Sequence, residues 1–337
     1  MKKERIFVTG NLGFIGYHAS CKLKEMGALV LGVDNCNDYY DRKWKFLRLK
    51  NLQENKIACQ AVDIADQASL KKAIEAFKPT KILHLAAQAG VRYSQENPKA
   101  YIRSNIEGSF NIFEIAKQTS TPVVYASSSS VYGQNQKIPF EESDPTDLPM
   151  SLYAMTKKSN ELMAQTYHFL HQLPIIGLRF FTVYGPYGRP DMAYFSFAEK
   201  IMRKEPITVY DHGFLKRDFT YIDDIVDGII SALDFPVQSG VFNLGNHQPH
   251  SVNELVAYLE KYLAIKAIIH YQKAPKVDVQ TTYASIEKSQ KILNFSPKIS
   301  LEEGIKRFSS WYLKNHAFHL DLELEKKKHP EYFLSNL

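Results

Sequence analysis

Short apolar runs alternate with longer amphipathic stretches through the first half of the chain. Ile6–Thr9, Leu29–Val33, Ile57–Val62, Lys81–Leu85 and Pro122–Ala126 are four to six residues long and rich in β-branched residues. That is the pattern of strands covered on both faces. Between them, Tyr17–Met26, Ala68–Phe77 and Lys99–Lys117 carry helical periodicity, and Gly27 closes the first. Strands and helices alternating at this spacing predict a parallel sheet with helices on both sides. From about Pro174 the alternation loosens. Ile175–Phe181 reads as a strand, and Ala193–Arg203, Ile222–Leu233, Val252–Leu263 and Leu301–Leu313 read as helices. Short strands are predicted at Ile207–Tyr210 and Val241–Leu244. The division suggests a first domain over 1–173, with later segments crossing back to it, and a smaller α/β domain over 174–320. The tail, 321–337, is charged, includes Lys326-Lys327-Lys328 and lacks a core pattern. It is expected to dock loosely, its basic run a solvated face.

Composition narrows the class. The chain has 337 residues, 45% hydrophobic and 23% charged, enough to bury a core without disulfides or metals. A net charge of +6 is mild and suits an anionic small molecule at least as well as nucleic acid, which would favour a clustered basic stripe. The cysteines, Cys21, Cys36 and Cys59, are odd in number and form no CxxC, so a reducing compartment and no metal are expected. No stretch approaches the ~18 apolar residues of a membrane span. Met1–Arg5 followed by Ile6-Phe7-Val8 imitates a signal peptide, but spaced glycines, Asn11 and Glu4 argue for a buried strand and turn. A cytoplasmic protein with neither membrane nor nucleic-acid partner is expected.

The first strand runs directly into Gly10, Gly13 and Gly16, then a helix, a second strand and Asp34. Asp34 lies 18 residues beyond Gly16, near the ~20 expected of an acid that bonds an adenosine ribose. One glycine permits the tight turn, one lets backbone N–H groups approach a pyrophosphate, and one lets the helix pack on the strand. The spacing GxxGxxG departs from the common GxGxxG, but strand, helix and trailing acid are in place, so dinucleotide binding is predicted. Asp34 favours NAD over NADP, since a carboxylate there repels a 2′-phosphate. Asp34, Asp63, Ala86 and Ser127 all fall at carboxyl ends of predicted strands, where such sheets bind ligands. Ser127-Ser128-Ser129-Ser130 follows the fifth strand, and Tyr153-Ala154-Met155-Thr156-Lys157 lies in a helical pattern. Tyr and Lys four apart share one helix face. A nearby ammonium would lower the phenol pKa from its usual ~10 toward neutrality. With a serine hydroxyl on the same oxygen, the set can take a proton from a sugar hydroxyl while hydride leaves for a nicotinamide.

Thr9–Gly16, the SSSSVYG of Ser127–Gly133 and Tyr153–Lys157 together resemble the extended short-chain dehydrogenases/reductases, and within them the NAD-dependent nucleotide-sugar 4-epimerases, most closely those of UDP-glucuronate. Asp34–Asp41, Ala89–Ser94, Gly185–Ala193 and Arg217–Asp224 carry the likeness, which extends to about Leu313. It implies a Rossmann-type doubly wound parallel sheet with a smaller C-terminal substrate-binding α/β domain. It implies Ser128, Tyr153 and Lys157 as catalytic; the residues alone leave the neighbouring serines open. NAD would be held by Gly10, Gly13, Phe14, Ile15, Gly16, Asp34, Asn35, Asp63, Ile64, Leu85, Ala86, Ala87, Gln88 and Asn105, with Tyr153 and Lys157. A homodimer through helices at about 99–117 and 151–170 is implied as well.

The expected reaction interconverts UDP-glucuronate and UDP-galacturonate through a 4-keto sugar. Dehydratases of this superfamily carry an Asp-Glu pair, and the decarboxylases a Glu, where this chain has Ser129 and Ser130. A uronate's 4-keto intermediate is a β-keto acid prone to lose CO₂. Hydroxyls can hold its carboxylate without adding negative charge, and Ser129 and Thr182 are the candidates. Thr182 stands where UDP-galactose epimerases usually have Asn. Arg92, Arg189 and Arg217 are candidate anion contacts. The resemblance puts Arg217 on the diphosphate, Arg189 on the nucleotide sugar and Asp278 on the uridine ribose, with Tyr187 where Trp is usual. The alternatives are epimerisation of UDP-N-acetylglucosamine, its uronic acid or UDP-glucose, and a non-catalytic NAD-binding protein.

Overall fold

A computed structural model of the chain describes residues 4–235, 239–273, 280–317 and 322–332. Its centre is a seven-stranded parallel sheet. Six strands come from the first 180 residues: β1 (Arg5–Thr9), β2 (Leu29–Asp34), β3 (Ala58–Ala61), β4 (Lys81–His84), β5 (Val123–Ser128) and β6 (Ile175–Phe180), the last of them just past the boundary expected at 174. Across the sheet they run β3-β2-β1-β4-β5-β6, and the strand Ser239–Leu244 is added beside β6. The order reverses between β1 and β4, which opens a crevice at the carboxyl ends of these strands. β1, β4, β5 and β6 are almost wholly buried, as their unbroken apolar runs require.

The expected doubly wound fold is therefore present, with corrections of detail. The strand expected at Val241–Leu244 belongs to the central sheet, not the smaller domain, in register with Ile175–Phe180. The helix Ile222–Asp234 packs on α1 (Phe14–Glu25) and the same sheet. The chain thus returns to the first domain after leaving it. The helix expected over Lys99–Lys117 spans Pro98–Thr119, with an over-wide π-type stretch at Ile102–Glu107. Such stretches displace side chains from the regular helical faces.

Helix α2 (Lys43–Glu54), LysTrpLysPheLeuArgLeuLysAsnLeuGlnGlu, had no sequence signal. Its inward face includes Lys45 and Arg48 beside Trp44, Phe46, Leu47, Leu49 and Leu52. Buried charges at core positions erase the apolar stripe that announces an amphipathic helix.

The smaller region is built on Lys216–Tyr221. That strand pairs in parallel with Thr182–Tyr184 and Thr281–Thr282, and antiparallel with Pro249–Ser251. Asp218, fully buried in it, accepts N–H bonds from Asn246 (2.6 Å), His247 (3.1 Å) and Ala284 (3.0 Å), which fixes two loops. Pro206–Tyr210 pairs with Ile268–Gln272 in a separate two-stranded sheet.

The tail departs from the loose docking expected of it. Leu322–Lys328 is helical, and Tyr332 is only 2% exposed, its ring set edge-on to Phe46 of α2. An aromatic side chain dominates a small interface by area alone, and three lysines upstream conceal that in the sequence. The Tyr332 hydroxyl has no hydrogen-bond partner. Tyr332→Phe should therefore be neutral or stabilising, whereas Tyr332→Ala should cost about 3 kcal/mol. Urea denaturation of the two variants checks both.

Candidate active site

The crevice between β1 and β4 opens into a cleft of about 240 Å³. Its floor depends on absent side chains. Gly10 adopts φ +73°, and a Cβ there would lie 2.7 Å from the Ala86 nitrogen at the end of β4. A Cβ on Gly16 would lie 2.1 Å from the Gly10 carbonyl oxygen. The Gly13 N–H donates to that carbonyl at 2.9 Å. The turn therefore sits flat against the sheet with the N-terminus of α1 directed at the cleft, a cradle suited to phosphate. Phe14 and Ile15 line it too.

The β4 side is fixed by a buried relay. The Thr9 hydroxyl accepts the N–H groups of Leu85 (3.1 Å) and Ala86 (3.0 Å). Its proton is then left for His84 Nδ1 at 2.8 Å, so His84 donates from Nε2 to Ser109 Oγ at 3.0 Å. Burial lowers the His84 pKa to about 3, which keeps the ring neutral. Leu85, Ala86, Ala87 and Gln88 form this wall, and Gln88 Nε2 is buried there without a partner. An orphaned donor on a cleft wall is what a ligand acceptor would satisfy.

At the β2 end Asp34 and Asn35 line the cleft with Ile64. The Asp34 carboxylate accepts the Cys36 N–H at 2.7 Å and lies 3.6 Å from Lys45 Nζ, which also donates to Asn37 Oδ1 at 3.0 Å. An acid set at the end of β2 beside a phosphate cradle is the arrangement that accepts a ribose hydroxyl pair. The chain thus fits a dinucleotide.

Ser128, Tyr153 and Lys157 meet on the opposite side of the cleft. Tyr153 and Lys157 come from the helix Leu152–His171, which Ser151 caps by accepting the Ala154 N–H. Ser128 hydrogen-bonds the Tyr153 phenol. The neighbouring serines are committed elsewhere: Ser127 Oγ donates to Glu161 at 2.6 Å behind the strand, and Ser130 Oγ donates to Ser128 at 3.0 Å. Lys157 Nζ donates to the Ala126 carbonyl at 2.9 Å. Its pKa falls to about 8 through burial, against the opposing charge of Glu161. The expected lowering of Tyr153 is corrected. Burial outweighs the Ser128 hydrogen bond and the Arg189 charge, so its pKa stands above the ordinary value in the ligand-free protein.

Three features carried no sequence signal. Glu161 forms a buried fork with Arg179, both bonds 2.8 Å, which anchors the end of β5 from behind. Tyr39 and Tyr40 wall the cleft, and the Tyr39 hydroxyl donates to Asp191 at 3.0 Å. Asp191 also pairs with Arg189; burial pushes its carboxyl up, but the Arg189 charge and the hydrogen bonds from Arg189 and Tyr39 together hold it below its ordinary pKa. Asn37 and Tyr39 lie in a segment whose likeness was legible while its individual roles were not.

Some expected contacts stand back from the cleft walls. Asp63 pairs with Arg103 at 3.1 Å and accepts the Ala65 N–H. Asn105, in the over-wide helical stretch, is buried behind the wall and bonds Gln88 N, Gln88 O and Thr156. Arg92 lies 5.1 Å over the Tyr210 ring, and Arg217 donates to the Lys216 carbonyl. Ser129 and Thr182 adjoin lining residues Ser128, Phe181 and Val183 without lining the cleft themselves. Asp278 lies outside the described residues. Among the described residues no cluster of ligands for a metal occurs, and no helix is long and apolar enough to cross a membrane.

Residues 6–245 match the model of the NAD dependent epimerase/dehydratase family. The chain is 49% identical to an uncharacterised protein of Methanocaldococcus jannaschii over 94% of its own length and 98% of that protein. It is 47% identical to UDP-glucuronate 4-epimerase 3 of Arabidopsis thaliana over 91% of its length and 76% of that enzyme. The fold is similar to the crystal structure of UDP-glucuronic acid 4-epimerase from Bacillus cereus in complex with UDP-glucuronic acid and NAD. The TM-score is 0.86 and the identity 31%, covering 92% of this chain and 99% of that one.

The burial of Lys157 has a consequence for stability. An unfolded lysine keeps its proton to about pH 10.5, while the folded one releases it near 8. The penalty is therefore complete below pH 8 and relieved as pH rises toward 10.5. Lys157→Met should stabilise the fold at neutral pH by about 2 kcal/mol, after allowing for the lost bond to Ala126. Denaturation across this range should show the gap to the parent closing as pH rises.

Proposed function

The chain belongs to the NAD dependent epimerase/dehydratase family, and from that premise we propose that it is an NAD-dependent isomerase interconverting UDP-glucuronate and UDP-galacturonate at C4. The observation that carries the reading is the convergence of Ser128, Tyr153 and Lys157 on one side of a dinucleotide-shaped cleft. The likeness to UDP-glucuronate 4-epimerases over nearly the whole chain supports the substrate.

NAD, when bound, would supply a hydride acceptor and donor beside C4, with no net change of its oxidation state over a turnover. The chain's own residues manage the proton and the sugar. Tyr153 takes the proton of the 4-hydroxyl, and Ser128, set beside the phenol, hydrogen-bonds the same sugar oxygen. Lys157, anchored on Ala126, brings a positive charge behind Tyr153 that favours the phenolate. The glycine cradle holds the cofactor's diphosphate, Asp34 its adenosine ribose, and Ile64, Leu85, Ala86, Ala87 and Gln88 the walls beside it. Asp63 and Asn105 position those walls rather than touching the cofactor.

Arg189 is the substrate's anion anchor at the cleft, with Arg217 and Arg92 toward the UDP end and Asp278 at the uridine ribose. Ser129 and Thr182 hold the uronate carboxyl by hydroxyls, which keeps the C5–C6 bond out of line with the C4 carbonyl and so resists loss of CO₂. Holding a nucleotide handle far from C4 is what lets positioning account for much of the rate. The protein works in the cytoplasm as a homodimer. Its partner face comprises Ile102, Phe110, Leu162 and Phe169, exposed apolar side chains on the helices Pro98–Thr119 and Leu152–His171.

Incubation with UDP-glucuronate, with products separated by chromatography, tests the substrate. UDP-galacturonate should accumulate without change of mass. Turnover of UDP-glucose or UDP-N-acetylglucosamine in its place would overturn the assignment, and a product lighter by CO₂ or water would overturn the reaction type. Tyr153→Phe should lower turnover by at least about 10³-fold while NAD stays bound, measured on the purified protein. Sedimentation should give a dimer that Phe169→Glu weakens.

A further inference from the structure

Arg48, on α2, is fully buried, and its acceptors are all neutral. Nη1 donates to the Leu12 carbonyl and the Tyr40 hydroxyl, each at 2.8 Å. Nε donates to the Tyr187 carbonyl at 3.0 Å and Nη2 to the Gly188 carbonyl at 2.8 Å. A buried guanidinium without a carboxylate is costly, and an apolar side chain would fill the same space more cheaply. What explains the residue is what its donors hold.

They hold the two sides of the cleft. Leu12 belongs to the cofactor turn, and Tyr187 and Gly188 directly precede Arg189. The loop is pinned at four successive carbonyls. Tyr194 donates to Gly185 at 3.3 Å, His18 Nε2 donates to Pro186 at 2.8 Å, and Arg48 takes the next two. Burial lowers the His18 pKa to about 4, so its ring is neutral and gives its one N–H to that carbonyl. Tyr187 is held at φ +55°, a left-handed conformation that costs an L-residue about 1 kcal/mol and persists only under such constraint. The peptide unit is planar, so fixing the Gly188 carbonyl fixes the plane that starts Arg189. Fixing the Leu12 carbonyl likewise sets the Gly13 amide, which closes the glycine turn on Gly10.

We propose that Arg48 is a positioning residue that joins the cofactor turn to the substrate loop, so that Arg189 is aimed by the same side chain that shapes the phosphate cradle. The proposal rests on the reading of Arg189 as the substrate's anion anchor. Lysine has one point of attachment where arginine has a planar fork, so Arg48→Lys should not reproduce the four bonds.

The test is a cycle on the NAD-loaded enzyme with Arg48→Lys, Arg189→Ala and the double variant. Arg48→Lys should raise KM for UDP-glucuronate about tenfold with kcat within about twofold, and should speed NAD release. In the Arg189→Ala background its effect on KM should shrink below about twofold, because the two act in series. An equal KM increase in both backgrounds, or an unchanged KM with only a lower melting temperature, overturns the proposal. Arg189→Ala leaving KM unchanged would instead remove the anchor reading of Arg189. Arg48 is then decided by NAD release, and release no faster than in the parent refutes it. His18→Leu, which frees Pro186 from α1, is the parallel arm if Arg48→Lys does not fold. The same loss of its KM effect without Arg189 is expected, and equal effects in both backgrounds count against the proposal.

Discussion

The site depends on one steric constraint, the approach of the Gly10 backbone to the end of β4. With a Cβ at Gly10 2.7 Å from the Ala86 nitrogen, no side chain fits without parting β1's turn from β4. That contact brings the N-terminus of α1 over the sheet and opens the crevice where strand order reverses. The Thr9–His84–Ser109 relay braces the same contact from beneath, since Thr9 accepts the Leu85 and Ala86 amides only while His84 takes its proton. Geometry at the cofactor end is therefore set by backbone contacts and a neutral histidine, neither of which changes with pH in the physiological range.

Electrostatics at the other wall follow from burial. Lys157, Arg48 and Lys45 are all buried, yet Asp34 and Glu161 are the carboxylates set among them. Asp191 is already paired with Arg189. The cleft therefore carries unmet positive charge, in which polyanions bind well. Burial raises the Tyr153 pKa, and the Ser128 hydrogen bond and the positive charge of Arg189 offset that only in part.

Most of the sheet was legible because strands covered on both faces write themselves as apolar runs. The glycine turn, Asp34 and the Tyr153–Lys157 pair were legible because each depends on local spacing. What escaped depends on distance. Helix α2 was hidden because Lys45 and Arg48 occupy its inward face, and two of the Arg48 acceptors lie far along the chain, at Tyr187 and Gly188. The fork between Glu161 and Arg179 was hidden for the same reason, although Glu161 continues the four-residue spacing of Tyr153 and Lys157. Ser127 and Ser128 could be told apart only by seeing which one points back to Glu161. The tail was misjudged because lysines dominate its composition while one tyrosine decides its docking.

The two halves of the cleft are held by different means, and chemistry requires that. A reaction that returns hydride to the atom it came from needs the cofactor fixed and the sugar free to turn over. On the cofactor side, glycine contacts and strand ends leave nothing to move. On the sugar side, the walls are Tyr39, Tyr40 and the loop at 185–192, and a rigid sheet cannot reach them. Side chains from α1 and α2 reach them instead, through carbonyl bonds from His18 and Arg48 that fix the backbone and leave the Arg189 guanidinium to choose its partner. Asp191 holds that guanidinium and Tyr39 holds Asp191; on the proposed reading of Arg189, a sugar nucleotide offering a stronger anion draws the guanidinium inward. A rigid backbone under an exchangeable ion pair allows the intermediate to rotate without loosening the cofactor beside it.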